Sequence, residues 1–183
     1  SLKFRLSKPS DVIDLASVSD LNFIRMEGDT LLIGAATPHA DVAASETVRG
    51  TIPALASLAS LIGDPQVRNC GTLGGAIANN DPAADYPAAV LGLGATVITT
   101  GREIAGDDFF TDMFETALLE GEIITAVRFP KAAMAGYAKF PNPASRYAIV
   151  GVFAAETAFG VRVAVTGAGP CVFRATDMET ALG

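Results

Sequence analysis

Residues 67–87 read Val67-Arg68-Asn69-Cys70-Gly71-Thr72-Leu73-Gly74-Gly75-Ala76-Ile77-Ala78-Asn79-Asn80-Asp81-Pro82-Ala83-Ala84-Asp85-Tyr86-Pro87. A glycine pair shortly after a hydroxyl residue lets the backbone approach a ligand closely, because no Cβ stands in the way. Successive backbone N–H groups in such a turn form a concave anion site. Thr72 can donate its hydroxyl to a phosphate oxygen or a carbonyl. Asp85, acceptor-only when ionised, can hold ribose hydroxyls. Together these groups suit a dinucleotide or flavin nucleotide. The opposing reading makes the glycines tight turns, Asp81 a cap and Asp85 a surface charge. The stretch is not a phosphate loop of the Gly-Lys-Ser/Thr kind, nor a Gly-x-Gly-x-x-Gly dinucleotide fingerprint behind a strand.

Around it, residues 63–82 hold four glycines, two prolines and three asparagines, which breaks the regular pattern on either side. Upstream, Phe23–Met26 and Thr30–Gly34 are apolar runs separated by Glu27-Gly28-Asp29, a hairpin signal. Pro38–Ala44 forms a short helix. Ile52–Ile62 carries helical spacing, with Pro53 in the first turn. Downstream, Ala83–Leu93 resumes as a helix with Asp81 as its cap and Pro82 at its start. Ala95–Thr100 reads as a strand with Arg102–Ala105 as hairpin partner. Asp107–Phe114 begins a short helix, and Glu122–Phe129 is a strand ending at Pro130. Residues 131–136 read as a connector. Tyr137–Phe140, Tyr147–Thr157 and Val161–Thr166 are strands, with Gly160 closing a hairpin, and Thr176–Leu182 is a helix.

The 183 residues are half hydrophobic and only 18% charged, which argues against disorder. A net charge of −7 is a poor match for a nucleic-acid backbone. Two cysteines and one histidine cannot supply a four-ligand Cys/His zinc site, a four-cysteine cluster or a disulfide scaffold. No apolar run is long enough to span a membrane, and the first six residues are not a secretory signal, so a cytoplasmic protein is expected. His39 has no nucleophile partner and is expected to be structural or at the surface. Cys70 is expected to be a small packed residue and Cys171 inert. Asp107, Asp108 and Asp112 read as a helix start and a solvated face. Arg146-Tyr147 suits a partner, a flavin or edge packing.

The run Val67–Asn79 followed by Asp81–Pro87 resembles the second FAD-binding loop of the flavoprotein subunit of molybdenum hydroxylases, the medium chain of the carbon monoxide dehydrogenase type related to the flavin domain of xanthine dehydrogenase. The likeness continues through Phe109-Phe110, Glu122–Ile124 and Phe129-Pro130. It resumes at Tyr137–Phe140, Ser145–Val150 and Val165–Gly169. The resemblance implies an α+β fold: an FAD-binding domain of the vanillyl-alcohol-oxidase (PCMH) type over residues 1–130, without its N-terminal subdomain, then a partial α+β C-terminal domain over 131–183. It implies that Thr72, Leu73, Gly74, Gly75, Ala76 and Asp85 bind FAD. By the same resemblance, Ile62 packs at the flavin, Ile124 contributes a backbone contact near the ring, and Lys139 lies near it. A small subunit with 2Fe–2S clusters and a large subunit with molybdenum cofactor are the implied partners. Electrons would pass from the clusters to FAD and on to an external acceptor.

Such flavoproteins open with a first FAD loop of the Ala-Gly-Gly-x-Ser type, whereas Ser1–Leu6 resembles the sequence just after it. The expectation is a chain truncated at both ends that alone binds FAD weakly or not at all and is inactive. Two other readings stay open. One is a stand-alone FAD oxidoreductase, for which no acid–base residue offers itself. The other is a flavin-free module that only docks onto partner subunits.

Overall fold

The structure is a computed structural model that describes residues 11–183. After a 3-10 turn at Ser19–Leu21, β1 (Ile24–Glu27) and β2 (Thr30–Gly34) form the expected hairpin. Gly28 sits in its turn at φ +60°, which a residue with a Cβ adopts only with strain. Four helices follow: α1 (His39–Ala44), α2 (Glu46–Thr51), α3 (Pro53–Ser60) and α4 (Pro65–Cys70). Then come α5 (Leu73–Asn79), α6 (Tyr86–Leu93), β3 (Thr96–Thr99), β4 (Glu103–Ala105) and α7 (Gly106–Phe109). The chain continues through β5 (Phe110–Asp112), β6 (Glu115–Thr116) and β7 (Ile124–Pro130). It ends with β8 (Met134–Pro141), β9 (Ala148–Thr157), β10 (Gly160–Thr166), β11 (Phe173–Arg174) and α8 (Thr176–Leu182).

The strands make two main antiparallel sheets, ordered β1-β2-β7-β3-β4 and β11-β10-β9-β8, plus the small β5-β6 hairpin. Strand β2 lies inside the first sheet, and Leu31, Leu32 and Ile33 are all buried. Every residue of α6 is buried, so its sequence, Tyr-Pro-Ala-Ala-Val-Leu-Gly-Leu, is apolar on all sides instead of amphipathic. It packs on β9 and β10 of the second sheet and also touches β7 of the first. A Cβ at Gly92 would lie 2.7 Å from the Phe153 ring, so the helix can approach the sheet only because that position is glycine. Gly94, at φ +62°, ends the helix and donates its N–H to the Leu91 and Val90 carbonyls.

Four expectations are corrected. The pattern break at 63–82 contains two short helices, α4 and α5, each with its own cap: Asp64 accepts from Val67 N–H, and Thr72 from Gly75 N–H. The helix expected at Ala83 starts at Tyr86, because Asp81 caps a tight turn through Ala83 N–H (2.9 Å) instead. Asp107–Phe114 is helical only to Phe109, after which the chain turns into β5. Residues 131–136 are not a free connector, since β8 begins at Met134 and pairs with β9 along its length.

Candidate functional site

Two sets of bonds fix the Gly71–Asp85 segment. On one side it is laced to the chain just after β2. His39 N–H donates to the Gly71 carbonyl (3.0 Å), Leu73 N–H to Thr37 (3.1 Å) and Gly74 N–H to Ala35 (2.8 Å). On the other side the second sheet grips residues 82–84. The Thr166 hydroxyl donates to the Pro82 (2.9 Å) and Ala84 (2.7 Å) carbonyls, and Gly167 N–H also donates to Pro82 (2.8 Å). Thr166 is itself buried, so these bonds are shielded from competing water.

The glycines divide by role. A Cβ at Gly71 would fall 2.6 Å from His39 Nε2, and one at Gly74 would fall 2.5 Å from the Ala35 Cβ. Those two are glycine because protein packs against them. Gly75 is exposed, and a Cβ there would meet only the Thr72 hydroxyl, at 3.0 Å. It faces open space and leaves room for a ligand. Thr72 Oγ1 accepts from Gly75 N–H (3.1 Å), which leaves its own proton free to donate.

That open space is a cavity of about 500 Å³ whose walls include Ile62, Thr72, Gly75, Ala76, Asp85 and Tyr147. Five of the nine expected site residues therefore share one cavity. Leu73 and Gly74 are buried behind it. Ile124 sits at the start of β7 in the core and does not line the cavity. Lys139 lines an adjoining pocket and reaches the site through Asp85.

Asp85 is the electrostatic centre. It is only 5% exposed, Lys139 Nζ lies 2.9 Å from its carboxylate, and Tyr137 donates its hydroxyl to it. Burial pushes the Asp85 carboxyl above its ordinary pKa, while the Tyr137 bond and the Lys139 charge pull it back. Burial and the neighbouring Asp85 charge raise Tyr137. Lys139 Nζ also donates to the Leu61 carbonyl (3.1 Å), which leaves one of its three N–H donors unassigned.

Two further cavity residues escaped the sequence reading. His39 is buried, not at the surface; burial and then the Arg68 charge lower its pKa to about 4, so the ring is neutral at pH 7. Tyr86 is fully buried, and its ring centroid lies 5.2 Å from that of His39. His39 Nδ1 and the Tyr86 hydroxyl are buried without a hydrogen-bond partner. Such atoms cost stability unless a ligand or water satisfies them. The only advance signal was for Tyr137: a residue two before Lys139 in a strand shares its face. Cys70 is exposed at the cavity wall instead of packed. Asp107 pairs with Arg162 and Arg174 across to the second sheet, so it is not merely solvated. No cluster of metal-ligating side chains occurs among the described residues.

The donor set fits a flavin nucleotide. A hydroxyl with a free proton, a wall without a Cβ, orphaned polar atoms and an apolar side from Ile62 surround one cavity.

Comparison with known proteins agrees. Residues 1–132 match the family described as the FAD binding domain in molybdopterin dehydrogenase. The chain is 34% identical to the carbon monoxide dehydrogenase medium chain of Hydrogenophaga pseudoflava, over 94% of this chain and 64% of that one. It is 32% identical to the glyceraldehyde dehydrogenase medium chain of Sulfolobus acidocaldarius, over 97% of this chain and 67% of that one. The structure superimposes on that of carbon monoxide dehydrogenase from Hydrogenophaga pseudoflava with a TM-score of 0.91 at 36% identity, covering 98% of this chain and 67% of that one. Quinoline 2-oxidoreductase from Pseudomonas putida 86 gives a TM-score of 0.90 at 28% identity, covering 98% and 66%. The chain thus spans about two thirds of the length of these relatives.

Proposed function

The chain belongs to the family of FAD-binding domains of molybdopterin dehydrogenases, and from that premise we propose that it serves as the flavoprotein part of a molybdenum-hydroxylase-type oxidoreductase. In this role it takes electrons from the 2Fe–2S clusters of a partner subunit and passes them to an external acceptor, while a molybdenum-cofactor subunit oxidises the substrate. The observation that carries the reading is the single cavity walled by Ile62, Thr72, Gly75, Ala76 and Asp85.

FAD supplies the two-electron chemistry when bound. The chain's own residues hold and orient it. Thr72 donates its free hydroxyl proton, and Gly75 and Ala76 leave the backbone close to the ligand. Ile62 offers an apolar wall. The Asp85–Lys139 pair, with Tyr137 bracing the carboxylate, sets the local charge. Lys139 belongs to the ring end of the site on this reading, and Leu73 and Gly74 support the site from behind, with Ile124 in the core at the start of β7. The passage from β7 of the first sheet to β8 of the second supports the proposed division at residue 130.

The test is a flavin titration of the purified protein, followed by quenching of flavin fluorescence, beside Gly75→Val. A side chain at residue 75 would fill the ligand's space without touching the core. Saturable binding that the substitution weakens at least about tenfold supports the site. Equal binding by both proteins removes it.

A further inference from the structure

Beside the flavin cavity lies a second pocket of about 400 Å³. Its walls are the end of α3 (Ser60, Leu61), Gly63, Arg68 of α4, Lys139 and Pro141 of β8, and the loop residues Asn142, Pro143 and Arg146. Three of the chain's 13 basic residues thus converge on one concavity of a protein with net charge −7, and no carboxylate lines it. Lys139 is already paired with Asp85. Arg68 and Arg146 pair with no carboxylate among the described residues, and residues 1–10 contain no Asp or Glu.

The Arg68 side chain is held in place, and Arg146 is carried on a braced loop with its side chain free among the described residues. Arg68 Nη1 donates to the Ile62 (2.9 Å) and Gly63 (3.0 Å) carbonyls, which fixes the guanidinium but leaves its charge unneutralised. Arg146 N–H donates to the Asn142 carbonyl (2.8 Å), and the Asn142 side chain accepts from Ala144 and Ser145 N–H, so the loop carrying Arg146 is braced. Arg146 and Gly63 line both this pocket and the flavin cavity, so the two spaces adjoin.

We propose that this pocket is an anion subsite, in which Arg68 and Arg146 bind the phosphate groups of a ligand next to the flavin cavity. A guanidinium is always charged, and its planar fork matches paired oxygens, which suits phosphate better than a neutral group. Two sources share that chemistry: the diphosphate of the flavin nucleotide itself, or the phosphate of a separate acceptor docking beside it. The site stands whether or not the flavin reading does; only the assignment of source rests on that reading.

The probe is inorganic pyrophosphate, titrated calorimetrically into purified flavin-free protein at low and high salt. Arg146→Gln is the first variant, because the Arg146 side chain makes no hydrogen bond with the described residues. Arg68→Lys is the second; it keeps the charge but loses the fork. Wild-type protein is expected to bind pyrophosphate with an affinity that falls as salt rises. Arg146→Gln should weaken it at least about tenfold and Arg68→Lys by less, both with unchanged circular dichroism. No binding by wild type, or equal binding by Arg146→Gln, overturns the proposal. Repeating the titration on FAD-loaded protein separates the sources: loss of pyrophosphate binding assigns the pocket to the flavin's own diphosphate, and retained binding assigns it to a second ligand. Failure to load any FAD would count against a flavin site complete within this chain while leaving the pyrophosphate result intact.

Discussion

Asp85→Asn should destabilise the protein by about 3–5 kcal/mol, because it strands a buried cation. The Lys139 side chain is 3% exposed, and its other described partner is the Leu61 carbonyl at 3.1 Å. Asparagine keeps the shape and can still accept from Tyr137, so the lost quantity is charge. Replacing the whole group, as Asp85→Leu with Tyr137→Phe and Lys139→Met, removes the stranded charge together with its partners. That triple variant should lie within about 2 kcal/mol of wild type. The pKa direction bears on the triple variant: burial outweighs the Tyr137 bond and the Lys139 charge at Asp85, so the pair offsets only part of its own desolvation and an apolar replacement of the whole group loses little, whereas Asp85→Asn leaves the Lys139 charge buried without a counterion. Urea unfolding with linear extrapolation measures all three proteins. Flavin titration should find binding weakened in both variants, which separates the trio's stability role from its binding role. An Asp85→Asn cost below about 1 kcal/mol, or a triple variant less stable than the single one, would refute the reasoning.

Gly74→Ala should cost about 1–3 kcal/mol by overpacking, since its Cβ would sit 2.5 Å from the Ala35 Cβ and 2.8 Å from the Ala35 carbonyl oxygen; a shift in urea midpoint checks it. Thr72→Val should lose the cap on Gly75 N–H (3.1 Å), for about 1 kcal/mol, and weaken flavin binding as well; thermal melting and the flavin titration read the two effects separately. His39 should make stability fall on acidification. Its folded pKa is lowered from 6.5 to about 4, so its contribution is full above pH 6.5, declines as pH drops to about 4, and is constant below. The decline is on the order of 3 kcal/mol, and His39→Gln should flatten that part of the stability–pH curve; identical curves for the two proteins would contradict it.

Much of the fold was legible because local chemistry dictated it. The Gly28 turn and the β-branched run at Thr96–Thr99 announce their strands, and Pro53 announces the start of α3. Helices α4 and α5 were hidden because each is short and their stretch is rich in glycine and asparagine; the Asp64 cap and packing on α1 hold α4, and tertiary bonds to residues 35–39 hold Gly71 and the start of α5. The start of α6 was misplaced for a similar reason. Asp81 and Pro82 have the chemistry of a helix start, yet the bonds from Thr166 and Gly167 hold residues 82–84 in a turn. Of the site, Thr72, Gly75 and Asp85 were legible as a motif. Nothing in the spacing of His39 or Tyr86 could show that both would be buried against the same cavity.

The same bonds bear on how the site is built. The glycine loop lies wholly before residue 130, where β7 of the first sheet ends. Yet the side chains that fix the charge at Asp85, Tyr137 and Lys139, come from β8, and the hydroxyl that pins the loop, Thr166, comes from β10. All three lie in the second sheet. A fragment ending at residue 130 would keep every residue of the loop motif but leave the Asp85 carboxylate without either donor. Residues 82–84 would also lose their grip on the second sheet. The second sheet therefore sets the cavity's charge balance, and the loop between β8 and β9 adds Ser145, Arg146 and Tyr147 to its wall, so the glycine-loop motif alone does not build the cavity.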